Sequence, residues 1–251
     1  MDIRFDNKTA IVTGAAAGIG AAIADALVES GATVIVVDLK QDASDAKAAE
    51  LTAKGGTAYG FAADVSDPAA VEAMVAFAKE KTGALHLLVN NAGIGGAQAP
   101  TGAYPLDSWK QVIDVNLNGV FYGMRYGIPA ITEAGGGAIV NIASILGSVG
   151  FAGSSAYVAA KHAVVGLTKN AAMEHAADGV RVNAIGPGFI RTPLLDANLD
   201  QATQDFLASK HALNRLGTPE EVATLTLFLL SEQAAFITGS YHLVDGGYTA
   251  Q

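Results

Sequence analysis

The chain alternates short runs of β-branched and aliphatic residues with longer stretches in which apolar residues recur every three or four positions. The short runs predict strands, because strands that are buried on both faces are apolar without interruption. The longer stretches have the period of helices that bury one face. Strands that alternate with helices in this way are typical of a parallel sheet covered on both sides. Seven strands are predicted, over residues 8–13, 33–37, 57–62, 86–89, 138–142, 180–185 and 241–244.

The apolar periodicity and the helix-starting prolines predict helices over residues 21–30, 42–54, 68–82, 106–133, 155–177 and 219–230. Right-handed crossovers between parallel strands then give a doubly wound sheet of the Rossmann type. The sequence contains no linker, repeat or low-complexity segment, so we predict one α/β domain over residues 1–251. Residues 187–217 are rich in proline and glycine around short helical pieces, and we expect them to form a substrate-binding lid.

Composition narrows the possible functions. Hydrophobic residues make up 51% of the chain and charged residues 16%, which excludes a disordered protein. The net charge of −9 argues against nucleic acid or an anionic membrane as a partner. The sequence has no cysteine, so disulfides, zinc–thiolate sites and cysteine nucleophiles are excluded.

The histidines and the apolar segments give no sign of a metal site or of membrane insertion. The five histidines are scattered and none is paired at ligand spacing, so no catalytic metal is expected. No segment approaches the roughly 18 consecutive apolar residues of a membrane span, and the first residues show no signal-type apolar run. A cytoplasmic location is the expectation.

A glycine-rich turn, Thr13–Gly20, lies between the first predicted strand and the first predicted helix. Glycines there permit a tight turn and a close approach of the backbone to a pyrophosphate. The helix N-terminus then offers free amides to the anion. Asp38 ends the second predicted strand, where a carboxylate can bind the ribose 2′-hydroxyl of NAD and would repel the 2′-phosphate of NADP. The pattern favours NAD.

Tyr157 and Lys161 are four residues apart on a predicted helix and therefore lie on one face. A nearby ammonium lowers the pKa of a phenol, which could make the tyrosine a general acid or base. Ser144 follows a predicted strand at the rim where such folds bind ligands. Asn116 lies inside an apolar helix, where asparagine is disfavoured unless it has a specific partner.

With these residues the sequence resembles the short-chain dehydrogenase/reductase family over its whole length. The elements that match, in order and spacing, are Thr13–Gly20, Asp38, Asp64-Val65, Asn90-Asn91-Ala92-Gly93, Asn116, Ser144, Tyr157 with Lys161, and Pro187-Gly188 with Thr192.

The resemblance implies a role for each of the four candidate catalytic residues. Tyr157 would be the acid–base group, and Lys161 would lower its pKa and hold the nicotinamide ribose. Ser144 would bind and polarise the substrate oxygen. Asn116 would support a water-mediated proton relay to Lys161 through a local helix distortion. For the cofactor the implied contacts are Gly14, Gly18, Ile19, Asp38, Asp64, Val65, Asn90, Tyr157, Lys161, Ile190 and Thr192.

The substrate is less well determined than the reaction. The segments expected to line the pocket are 94–100, 145–151 and 193–199, and they are mostly apolar, with Asp196 as the main charge. An NAD-dependent interconversion of an apolar secondary alcohol and a ketone is the leading prediction. A 3-oxoacyl thioester reductase and a sugar or polyol dehydrogenase stay open. The resemblance also implies a homotetramer, in which the Gln251 carboxylate could bind a divalent ion.

Overall fold

The structure, a computed structural model, describes residues 3–192, 195 and 200–250. Seven parallel strands form one sheet in the order β3-β2-β1-β4-β5-β6-β7, which confirms the predicted doubly wound fold. The predicted strand limits are correct to within two residues. The strands are β1 Thr9–Thr13, β2 Thr33–Asp38, β3 Thr57–Ala62, β4 Leu87–Asn90, β5 Gly137–Ile142, β6 Val180–Pro187 and β7 Tyr241–Val244.

The helices of the described residues cover both faces of this sheet. Helix α1 begins at Gly18 rather than at residue 21, because the end of the glycine-rich turn forms its first turn. The long stretch 106–133 consists of two α-helices joined by a π-helical turn, Asp114–Asn118. The α-helices are α1 Gly18–Glu29, α2 Gln41–Ala53, α3 Pro68–Thr82, α4 Leu106–Ile113, α5 Gly119–Glu133, α6 Ser155–His175, α7 Gln201–Ser209 and α8 Pro219–Leu230.

Alternate residues of each central strand point into two separate hydrophobic layers. On β1, Val12 packs into the layer that α1 and α8 cover, whereas Ile11 packs into the layer beneath α3, α5 and α6. Both side chains are fully buried. Burial on both faces explains why the strands have no polar alternation.

The strand order reverses between β1 and β4, so the loops after these two strands open a crevice at the carboxyl edge of the sheet. The residues that follow β6 leave the sheet at the same edge. Two backbone hydrogen bonds join them to Gly217, from Arg191 N to Gly217 O (2.9 Å) and from Gly217 N to Phe189 O (3.0 Å). Residues 193, 194 and 196–199, and with them the predicted pocket residue Asp196, lie outside the described residues, as does Gln251.

Candidate active site

The glycine-rich turn lines the crevice, and its glycines stand where a side chain would be strained or would collide with neighbouring atoms. Gly14 and Gly18 have φ angles of 62° and 59°, a region that favours glycine. A Cβ at Gly20 would lie 2.1 Å from the carbonyl oxygen of Gly14. Helix α1 starts there with no side-chain cap and no acidic residue in its first turn. Its first amides therefore lack an intrahelical partner and suit an anion such as a pyrophosphate.

Asp38 ends β2 beside this turn. One carboxylate oxygen accepts from Ala16 N at 3.1 Å, and the other accepts from Leu39 N at 2.8 Å. These two hydrogen bonds fix the carboxylate against the glycine-rich turn. A carboxylate at the end of this strand can bind the ribose of a dinucleotide.

Asn91 and Thr13 hold the other side of the turn, and the sequence reasoning did not include them among the site residues. The Asn91 side chain donates to the carbonyl oxygens of Thr13 (2.8 Å) and Gly14 (3.1 Å). The Thr13 hydroxyl oxygen accepts from the amides of Asn91 and Ala92. Because the two residues are 78 positions apart in sequence, no local pattern predicted this contact, and Asn91 stood out only as part of the motif at residues 90–93.

Three further predicted cofactor residues lie near the crevice in different environments. The Asp64 carboxylate accepts from the amide and the hydroxyl of Ser66, and Val65 is buried beneath α5. The Asn90 side chain is also buried, and it donates to Asn141 Oδ1 at 2.9 Å. Asn90 therefore connects β4 to β5 through its side chain, and its predicted contact with adenosine stays a prediction.

Ile190 and Thr192 approach the glycine-rich turn from the segment after β6. Ile190 is buried and pairs with Gly217. A Cβ at Gly18 would lie 3.3 Å from Thr192 Cγ2, so Thr192 lies next to the glycine-rich turn.

Ser144, Tyr157 and Lys161 come together at the carboxyl end of β5. The Ser144 side chain lies close enough to the Tyr157 hydroxyl to influence the pKa of the phenol. Lys161 Nζ lies 5.4 Å from the centre of the Tyr157 ring and donates to Ile142 O at 2.8 Å. Ser144 Oγ also accepts from Leu146 N. The i and i+4 spacing thus places a phenol and an ammonium side by side, with a hydroxyl against the phenol.

Burial controls the electrostatics of this group. It raises the pKa of Tyr157 above its usual range, and the nearby Ser144 side chain opposes that effect. Burial also lowers the pKa of Lys161 to about 8. The shift at Tyr157 is opposite to the lowering that the resemblance implied, because desolvation of the phenolate is the largest influence on it.

Asn116 lies in the π-helical turn, so the implied helix distortion is present. Its side chain is fully buried and pairs with the backbone of Ile94. Oδ1 accepts from Ile94 N at 2.8 Å, and Nδ2 donates to Ile94 O at 2.7 Å. A Cβ at Gly93 would lie 3.0 Å from Asn116 Oδ1 and 3.8 Å from Lys161 Nζ, so Gly93 leaves open the space between these residues.

Comparisons with known proteins agree with this arrangement. A family model described as enoyl-(acyl carrier protein) reductase, which belongs to the short-chain dehydrogenase/reductases, matches residues 14–249. The chain belongs to the short-chain dehydrogenase/reductase family. It is therefore an oxidoreductase, and the predicted reaction class, the interconversion of a secondary alcohol and a ketone with a nicotinamide cofactor, is confirmed.

Three relatives show what this short-chain dehydrogenase/reductase is similar to. The cyclohexanol dehydrogenase of Acinetobacter sp. (strain SE19) is 48% identical over 251 residues, which cover 100% of this chain and 98% of the relative. The cis-4-hydroxycyclohexanecarboxylate dehydrogenase of Sinomonas cyclohexanicum is 44% identical, over 98% of each chain. The D-threitol dehydrogenase of Mycolicibacterium smegmatis is 41% identical, over 99% of this chain and 95% of the relative.

The described residues include no group of three or more histidine, aspartate or glutamate side chains arranged to hold a metal ion. None of their helices combines the length and the apolar character needed to cross a bilayer.

Proposed function

We propose that this protein is an NAD-dependent dehydrogenase of apolar, alicyclic secondary alcohols, with Tyr157 as its acid–base residue. The observation that carries the proposal is the Tyr157 phenol, which lies near the Ser144 side chain and stands beside the buried Lys161. This group lies at the same sheet edge as the turn that Asp38 fixes.

The residues of the crevice fit a nicotinamide dinucleotide. Gly14, Gly18 and Gly20 form a cradle that a Cβ would fill, and the uncapped start of α1 faces it. Asp38 would hold the adenosine ribose, and its charge would disfavour a 2′-phosphate. Lys161, Ile190 and Thr192 would hold the nicotinamide end. When bound, the nicotinamide supplies or accepts the hydride.

The protein's own groups manage the proton. In alcohol oxidation the substrate hydroxyl donates its proton to the Tyr157 oxygen, and in ketone reduction Tyr157 returns a proton to the carbonyl oxygen. The Ser144 hydroxyl binds the same substrate oxygen and fixes its distance from the phenol. A positive charge beside Tyr157 favours the phenolate, and Lys161 provides that charge below its pKa of about 8. Asn116, across the space at Gly93, would support a water that exchanges protons with Lys161.

The substrate class follows from the side chains around the phenol. Ile94 packs in the same small apolar cluster as Tyr157, and Leu146 is buried two residues after Ser144. Phe151 packs against Phe189 with ring centres 5.8 Å apart. This apolar surrounding, together with the names of two of the relatives, supports a ring alcohol over a sugar or an acyl thioester. We also propose that residues 187–217 form a lid over the substrate. The protein is further proposed to be a homotetramer and to be located in the cytoplasm.

The test compares initial rates of oxidation of cyclohexanol, D-threitol and a 3-hydroxybutyryl thioester, each with NAD and with NADP. The proposal expects the highest kcat/KM with cyclohexanol and NAD. It also expects Asp38→Asn, which keeps an oxygen acceptor but loses the charge, to reduce the preference for NAD at least about tenfold. Asp42→Asn, in the first turn of α2, serves as the control. A higher kcat/KM with the thioester, or an unchanged NAD/NADP ratio in Asp38→Asn, would refute the corresponding part.

A further inference from the structure

Tyr241, on the edge strand β7, reaches across the sheet edge to the backbone of Ser144. Its hydroxyl donates to the Ser144 carbonyl oxygen. The same oxygen accepts from Gly147 N at 2.8 Å. Strand β6 lies between β7 and β5, so the tyrosine side chain spans one intervening strand.

The intervening strand is built to let this ring pass. A Cβ at Gly186, on β6, would lie 2.3 Å from the Tyr241 hydroxyl oxygen and 2.6 Å from two carbons of the ring. A Cβ at Gly147 would lie 3.3 Å from the same hydroxyl oxygen. Any side chain at residue 186 would therefore displace the tyrosine, and only a glycine permits the observed contact.

Tyr241 also contacts the segment that follows Ser144. The Ser148 side chain lies close enough to the Tyr241 hydroxyl to lower the pKa of that phenol. Tyr241 therefore binds the first residue of the segment Ser144–Ser148 and lies near its last residue. Tyr241 is also close enough to Tyr157 to help raise the pKa of that phenol.

We propose that Tyr241 is a positioning residue for the reaction. By holding the Ser144 carbonyl oxygen, it fixes the backbone from which the Ser144 hydroxyl points toward Tyr157. The inference rests on the proposed function, because it requires that Ser144 binds the substrate oxygen. Gly186 belongs to the same device, since it provides the space for the ring.

The first test is Tyr241→Phe in the full-length protein, which removes only the hydroxyl. We expect kcat for cyclohexanol oxidation to fall roughly tenfold, because a small displacement of a positioning hydroxyl is costly in rate. The KM for NAD should stay within twofold, since the hydroxyl that is removed binds Ser144 and not a residue of the glycine-rich turn. The matched control is Tyr59→Phe on β3, the strand at the opposite edge of the sheet. An unchanged kcat in Tyr241→Phe would overturn the inference.

A double-mutant cycle separates positioning of Ser144 from a general structural effect. In the Ser144→Ala background, Tyr241→Phe should lower kcat by less than twofold further, because there is no hydroxyl left to position. Losses that multiply would overturn the inference. If Ser144→Ala alone kept the full kcat, the proposed function of Ser144 would fail first. If Ser144→Ala lost activity and Tyr241→Phe did not, the inference alone would fail.

Gly186→Ala reaches the same contact from the other side. The new methyl group should displace the Tyr241 ring and lower kcat at least as much as Tyr241→Phe does. Gly166→Ala on α6 is the control, because a Cβ there meets open space. NADH binding, followed by its fluorescence, checks that each variant is folded. A Gly186→Ala protein that binds NADH and keeps the full kcat would overturn the inference.

Discussion

At the scale of single residues, the sequence determines the positions of the two ionisable side chains of the site, Tyr157 and Lys161, better than it determines their pKa values. The i and i+4 spacing is enough to place Tyr157 beside Lys161, and the structure has the Lys161 nitrogen 5.4 Å from the ring centre. The pKa of each group, however, depends on desolvation by distant parts of the chain, which the sequence pattern does not show. For the same reason the partners of Asn91 and Tyr241, which are 78 and 97 residues away, were not predicted.

The lowered pKa of Lys161 makes stability depend on pH. The folded value of about 8 lies below the ordinary 10.5, so between these values the unfolded chain binds more protons and stability rises with pH. Below pH 8 the charged amine is buried at a cost of at most about 3 kcal/mol.

Lys161→Met removes this buried charge. We therefore expect it to be more stable than the parent protein in urea unfolding at pH 7, with a smaller difference at pH 9.5. Lys169→Met, on the exposed face of the same helix, is the control. An advantage for Lys161→Met that does not shrink at high pH would contradict the assignment.

At the scale of elements, the periodicity predicted every strand and most helices because each of them buries apolar residues on a regular spacing. It could not separate α4 from α5, since a π-helical turn keeps the chain helical and changes only the hydrogen-bond register. The distortion coincides with Asn116, whose side chain pairs with the backbone of Ile94, a contact between segments 22 residues apart. Local helix propensity does not reflect such a contact, so the sequence pattern could not predict it.

A substitution at the N-terminal cap of helix α8 tests how much this cap contributes to stability. The helix belongs to the hydrophobic layer that supports the glycine-rich turn. Thr218 caps α8 in a reciprocal capping box with Glu221, and α8 packs in the same hydrophobic layer as α1. Thr218→Ala should lower the free energy of unfolding by about 1 kcal/mol, measured in urea. Thr224→Ala, inside the same helix, should change it by less than about 0.5 kcal/mol. Equal losses in the two variants would show that the cap is not the cause.

The capping glutamate, Glu221, also makes the stability of the protein depend on pH in acid. Hydrogen bonds from Arg215 and from the Thr218 amide lower the pKa of Glu221 to about 2. Because the folded pKa is below the ordinary value of 4.5, this contribution is present above pH 4.5 and is lost as the pH falls toward 2. The difference in the free energy of unfolding between Glu221→Gln and the parent protein, measured in urea, should therefore be smaller at pH 3 than at pH 6. A constant difference would contradict the assignment.

At the scale of the whole molecule, large apolar side chains are exposed on helices that the fold leaves uncovered. Leu106 is 83% exposed, Met173 83% and Phe121 45%, and these residues lie on α4, α6 and α5. Exposed apolar surface of this kind marks interfaces between proteins. The proposed homotetramer predicts a mass in solution of about four times the 25.4 kDa chain in light scattering. Phe121→Glu should reduce that mass, and a monomer in the parent protein would contradict the proposal.

The central claim is that Tyr157 transfers the proton in an NAD-linked alcohol oxidation, and Tyr157→Phe tests it most directly. The substitution removes one oxygen and keeps the ring. We expect kcat for cyclohexanol oxidation to fall by a factor of about 10³ or more, because a positioned acid–base group is lost. The dissociation constant of NADH should stay within about twofold, since the glycine-rich turn and Asp38 are untouched. A Tyr157→Phe enzyme with a substantial part of the parent's kcat would contradict the account.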